Sequence, residues 1–143
     1  MRRVLVAVNA AADAAAVVAE VLRMQAQEPV GVHLLNVQPA VSGHVAMFFD
    51  DTELHELQQT AGEEVLAPVR AQLGRHSVPC SSSVRIGRCA ETIARTAQEQ
   101  GCDRILLGHG RTPTHLATKV FGSMAHQVRQ LLRGGADCQV IGA

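Results

Sequence analysis

Short, continuous apolar runs alternate along this chain with segments whose apolar residues recur at helical spacing, and that alternation fixes the fold class before any motif is considered. VLVAV (4–8), VGVHLLNV (30–37), the more polar CSSSVRI (80–86), RILLG (104–108) and a short closing run at 138–141 read as strands. A helix begins at Asp13 with Val17, Val18, Val21 and Leu22 on one face, and Glu28-Pro29 stops it. A longer one is capped by Asp51-Thr52, with Leu54, Leu57, Ala61, Val65, Val69 and Leu73 as its stripe and Pro68 inside it as a source of a kink. A third follows Gly87, turns Ala90, Ile93, Ala94 and Ala97 inward and stops at Gly101, and a fourth runs from Ser123 to Leu132. Unbroken apolar strands are those covered on both faces, and strands joined by helices form a parallel sheet with right-handed crossovers. Over 143 residues, without repeat or linker, this is one α/β domain with helices on both faces of its sheet.

Composition closes off several functions. The hydrophobic fraction is 47% and the aromatic fraction only 2%, so the core is aliphatic and offers no stacking platform for single-stranded nucleic acid. Formal net charge is zero and the arginines are scattered, which leaves no basic stripe for a nucleic-acid backbone. Cys80, Cys89, Cys102 and Cys138 form no CxxC pair, and the histidines at 33, 44, 55, 76, 109, 115 and 126 form no HExxH, so packing thiols and no metal site are expected. His33, inside the second run, reads as a satisfied core residue. Arg2-Arg3 before an apolar stretch resembles a secretion signal only until Asn9 and Asp13 interrupt it. No run has the length of a membrane span. The expectation is a cytoplasmic protein that binds neither membrane nor nucleic acid.

In a doubly wound sheet ligands bind beyond the carboxyl ends of the strands, where connections diverge to opposite faces. The turns at Asn9, after Val37 and at Gly108 all lie on that side. Residues 106–125, LLGHGRTPTHLATKVFGSMA, look the most adapted to a ligand. Gly108 and Gly110 can take positive φ and admit a ligand close to the backbone, and the amides at Gly122, Ser123, Met124 and Ala125 open a helix, where an anion is favoured. Arg111 and Lys119, the only lysine in the chain, could meet a phosphate. The plainer reading is that the glycines turn a strand into a loop, Ser123 caps a helix, and the two cations are solvated.

The chain as a whole resembles the universal stress protein family. RRVLVAVN resembles that family's opening strand, VHLLNVQP the second strand and its loop, VRIGRCAETIARTAQEQGCDRILLGHGRT the block joining the third and fourth strands, and FGSMAHQV the last helix. The resemblance implies a Rossmann-like, five-stranded parallel sheet in the order 3-2-1-4-5 over residues 1–143. It also implies a homodimer formed through the C-terminal edge strand. Members that bind ATP carry an Asp at the end of the first strand and a G-x2-G-x9-G-[S/T] pattern. Here Asn9 stands at the Asp position, and Gly108, Gly110, Gly122 and Ser123 are spaced G-x-G-x11-G-S, with Pro113 in the interval. The resemblance places adenine near Asn9 and the Val37 backbone, and phosphates on Gly110, Gly122, Ser123 and Met124, with any Mg accompanying ATP.

Three functions follow. The first is a stress-response protein that binds ATP, ADP or AMP at this modified site. The second is a nucleotide-free dimer acting through protein contacts, which the two departures favour. The third is a slow phosphohydrolase or autophosphorylating enzyme, for which His109 and Ser123 are the nominees. No nucleophile, base and orienting acid are visible together, so no catalytic residue is assigned.

Overall fold

The computed structural model describes residues 1–40, 50–108, 124–132 and 139–142. Strands β1 (Arg2–Ala7), β2 (Val30–Gln38), β3 (Cys80–Ile86), β4 (Arg104–Leu107) and β5 (Gln139–Gly142) form one sheet in the order β3-β2-β1-β4-β5, every neighbour parallel. A 3-10 turn (Ala11–Asp13) leads into α1 (Ala14–Gln27); α2 is Asp51–Arg75, α3 is Cys89–Glu99, and α4 covers residues 124–131. The parallel α/β class expected from the alternation is the class observed. β3, the most polar run, is an outer strand.

Side-chain alternation on β1 separates two cores. Val4 and Val6 pack with Leu34 and Leu106 against Val17 and Val21 of α1 and Leu66, Val69 and Leu73 of α2. Leu5 and Ala7 turn the other way, onto Ile93 and Ala97 of α3 and Ala125 and Val128 of α4. Each fully buried Val or Leu in these layers contributes about 1.5–3 kcal/mol. Helices therefore cover both faces, as continuous apolar strands require.

Two features of α2 correct the sequence expectation. Its cap is Asp50, whose Oδ1 accepts from the Glu53 amide at 2.7 Å, so the cap lies one residue before the Asp51-Thr52 pair. Its buried stripe is Gln58, Gly62, Leu66, Val69 and Leu73, while Leu57 is 54% exposed and Ala61 is also exposed. Packing distance decides this face. A Cβ on Gly62 would lie 2.5 and 2.6 Å from the two Val84 methyls, so only the bare backbone lets α2 approach β3 this closely. Gln58 is admitted to the same face because its Nε2 donates to the Pro39 carbonyl at 2.8 Å. The helix runs through Pro68 as one element.

The ends of α1 and α3 match their sequence signals. Glu28 closes α1 ahead of Pro29. After α3, Gly101 takes φ 65° and the Cys102 amide returns to the Ala97 carbonyl at 2.8 Å, the left-handed ending that glycine permits.

Candidate functional site

The carboxyl ends of β1, β2 and β4 are tied together just short of a gap. Val8 N donates to the Leu35 carbonyl at 2.9 Å, Asn36 Nδ2 donates to the Val8 carbonyl at 2.8 Å, and Gly108 N donates to the Ala7 carbonyl at 3.2 Å. Gln38 Nε2 donates to Asn36 Oδ1 in turn, so the buried Asn36 amide is satisfied on both sides. Beyond Val8 the chain leaves the sheet and closes the 3-10 turn, with Asp13 N donating to the Ala10 carbonyl at 3.0 Å. Leu35 faces β1, so by strand alternation Val37 presents its carbonyl to the same side, where β1 has already ended. Among the described residues no backbone donor reaches that carbonyl.

Beside it lies a cavity of about 450 Å³ lined by Val37, Pro39, Ala40, Gly87, Arg88 and Cys89. That volume falls within the usual range for a small-molecule pocket. Gly87 N donates to the Gln38 carbonyl at 3.0 Å and Gly87 takes φ 154°, which turns β3 into the start of α3 at the cavity wall. Arg88, the N-cap residue of α3, is exposed, and the Cys89 thiol is pushed up by burial. Burial likewise raises Cys80 and Cys102, and all three are free thiols, as expected of packing cysteines. Among the described residues no group of three or more His, Cys, Asp or Glu could hold a metal.

The structure brings some of the sequence candidates together. Val37 lines the cavity, and Asn9 is exposed just past the end of β1. Gly108 ends β4 beside them, but not for the reason expected, since its φ is not positive. A Cβ there would lie 2.8 Å from Asp13 Oδ2 and 3.0 Å from its Cγ. Gly108 is needed for close approach, and the residue approaching is a buried acid at the turn before α1. The sequence marks Asp13 only as a helix start. Nothing in the sequence pairs it with a residue at the end of β4. Met124 is half-buried and Ala125 buried, both against the α3-side core, so only their backbone is left for a ligand. Gly110, Arg111, Lys119, Gly122 and Ser123, with His109, Pro113, His115 and Cys138, lie outside the described residues.

A parallel sheet wound on both faces, with a cavity beyond the carboxyl ends of β2 and β3, defines a Rossmann-like α/β domain. Residues 1–133 match the model of the universal stress protein family, and the chain belongs to that family. No match was found among the curated proteins. Among solved structures, a universal stress family protein from Burkholderia pseudomallei is 20% identical with a TM-score of 0.67, covering 99% of this chain and 94% of its own. The Archaeoglobus fulgidus universal stress protein in complex with dAMP is 18% identical, TM-score 0.59, covering 99% and 97%. A family protein from Arabidopsis thaliana with AMP bound is 14% identical, TM-score 0.61, covering 99% and 92%. At these identities the likeness concerns the fold.

Proposed function

We propose that this chain, as a single domain over 1–143, binds an adenine nucleotide (ATP, ADP or AMP) and acts in the stress response as a cytoplasmic homodimer joined through its C-terminal edge strand. The observation that carries the reading is the cavity lined by Val37, Pro39 and Ala40 at the carboxyl edge of the sheet, beside a Val37 carbonyl that no backbone donor reaches among the described residues. A carbonyl fixed in a strand accepts from the adenine amino group without reorganising, and the apolar walls at Val37, Pro39 and Ala40 cover the ring. Asn9 faces the ribose hydroxyls as a neutral donor and acceptor. Phosphates then fall to Gly110, Arg111, Lys119, Gly122 and Ser123 and to the Met124 and Ala125 amides, with Mg carried by the phosphates of ATP rather than by a protein cage. The dAMP and AMP complexes of the Archaeoglobus and Arabidopsis proteins support the ligand class.

Equilibrium dialysis and thermal shift with ATP, ADP and AMP test this. At a ligand concentration of about 100 Kd, binding stabilises the fold by about 2.7 kcal/mol. Asn9→Asp restores a charge-assisted bond to ribose, for which a gain of about tenfold in affinity is expected. Absence of any stabilisation by all three nucleotides at millimolar concentration refutes the proposal. The second reading, a nucleotide-free dimer working through its surfaces, is favoured by the neutral Asn9, and that result would select it.

A further inference from the structure

A polar cluster lies on the outer part of the sheet, well away from the Val37 cavity. His33 of β2 is only 5% exposed, yet both of its ring nitrogens are engaged. Nδ1 is 2.7 Å from Ser81 Oγ and Nε2 is 2.9 Å from Ser83 Oγ, both serines being on β3. The register His33↔Ser81 and Leu35↔Ser83 puts the three side chains on the face covered by α3. A neutral imidazole carries one N–H and one lone pair, so one hydroxyl gives its proton to the ring while the other accepts the ring's proton. That polarity is what a nucleophile, its base and an orienting group share. Ser81 is exposed and Ser83 half-buried, so Ser81 is the hydroxyl a solute can reach.

We propose that Ser81 is a nucleophile activated by His33, with Ser83 as the positioning residue, and that this site accepts acyl groups from small activated esters. Two further features serve the step. β3 is an outer strand, and Pro79 accepts from Val32 while Gly87 donates to Gln38, so the odd-numbered residues face β2. The Ser82 N–H therefore points off the sheet edge, next to the nucleophile, where it can receive a developing oxyanion. Burial, with Arg85 and Arg3 acting on the same ring, pushes the His33 pKa below its ordinary value, which disfavours the protonated imidazole. Arg85 is itself held by Glu99 at 2.7 Å and Arg3 by Gln100 at 3.2 Å.

Ser81 Oγ bonds to the ester carbonyl carbon as its proton passes to His33 Nδ1, while the other ring proton stays on Nε2, donated to Ser83 Oγ. The C–O bond to the leaving group then breaks and the alcohol departs with the proton from Nδ1, leaving acyl-Ser81. Water attacking by the same route releases the acid. Six residues separate Ser81 from Gly87 at the cavity, about 20 Å along an extended strand, so the proposal is independent of nucleotide binding.

The test is rapid mixing of the full chain with p-nitrophenyl acetate, followed by peptide mapping. A burst of about one nitrophenol per chain and an acetyl group on Ser81 are expected. Ser81→Ala should abolish the burst. His33→Gln keeps a donor and an acceptor for the two serines but takes no proton, so the burst should slow about 100-fold with an unchanged urea midpoint in alkaline buffer. Ser83→Ala should slow it and Ser83→Thr restore it. No burst from the wild-type chain, an acetyl group found only elsewhere, or a burst unaffected by Ser81→Ala overturns the proposal. Ser81→Ala leaves His33 its bond to Ser83, and its urea midpoint reports whether the fold is kept, so this arm holds even where the His33 variant fails to fold.

Discussion

Replacing Gly62 by Ala isolates the contact that sets the depth of α2 on the sheet. The new methyl would sit 2.5 and 2.6 Å from the Val84 methyls, whereas ordinary contact begins near 3.4 Å, so helix and strand must separate locally by roughly 0.9 Å. Val84 is β-branched and stiff at χ1, which denies the cheap escape of a rotamer change. Overpacking of this kind costs about 1–3 kcal/mol, and the upper half applies because two methyls are struck at once. Alanine in a helix interior returns about 1 kcal/mol over glycine. The expected net loss is about 1–2 kcal/mol, read as a lower urea midpoint at unchanged slope. Val84→Ala removes both struck methyls, and Gly62→Ala in that background should become neutral or stabilising, a coupling of about 2–3 kcal/mol in the double-mutant cycle. The remaining approach, 3.0 Å to Asn36 Oδ1, needs only a few tenths of an ångström. If Gly62→Ala costs the same in both backgrounds, or stabilises the native chain, the account of close packing at Gly62 is wrong. Asn36 also holds Val8, so the same displacement loosens the seam beside the Val37 carbonyl.

Three shorter expectations complete the set. Asp50→Ala removes the acceptor for the Glu53 amide and should cost about 1 kcal/mol by urea titration, while Asp51→Ala should cost much less. His33 is held neutral in the native state by burial and by Arg85 and Arg3, whereas the unfolded chain titrates near the ordinary 6.5 and so binds the proton more readily. Its contribution is present above that value and is lost as pH falls below it, so urea midpoints from neutral to acid pH should fall less steeply in His33→Gln; equal slopes would contradict this. Gly108→Ala drives a methyl against the Asp13 carboxyl and should lose about 1–3 kcal/mol, with part of the loss relieved in an Asp13→Ala background, measured by thermal unfolding.

What could be read from the sequence divides by the range of the interactions concerned. β2, β3, α1 and α3 were legible almost to the residue because apolar run length, helical period, Pro29 and Gly101 act within a few positions of one another. The face of α2 was not. Hydrophobic counting puts Leu57 and Ala61 inward, but the closest approach is made by a residue with no side chain, and counting assigns Gly62 no preference. A deep contact made by glycine turns the first half of the helix so that Leu57 and Ala61 face outward, which no local pattern records. The candidate site shows the same division. Val37 and Asn9 could be placed because the carboxyl end of a parallel sheet follows from the alternation alone. Asp13 against Gly108, Asn36 clamping Val8, and His33 between two serines each join residues from different strands or turns. Such pairs exist only once the register is fixed, and a one-residue shift of β3 against β2 would send Ser81 and Ser83 to the opposite face from His33. The polar character of β3 is therefore more than the mark of an outer strand. Serines at alternate positions meet a buried histidine in this register, and the ring they hold gives the pairing a preference that uniform apolar residues would not supply.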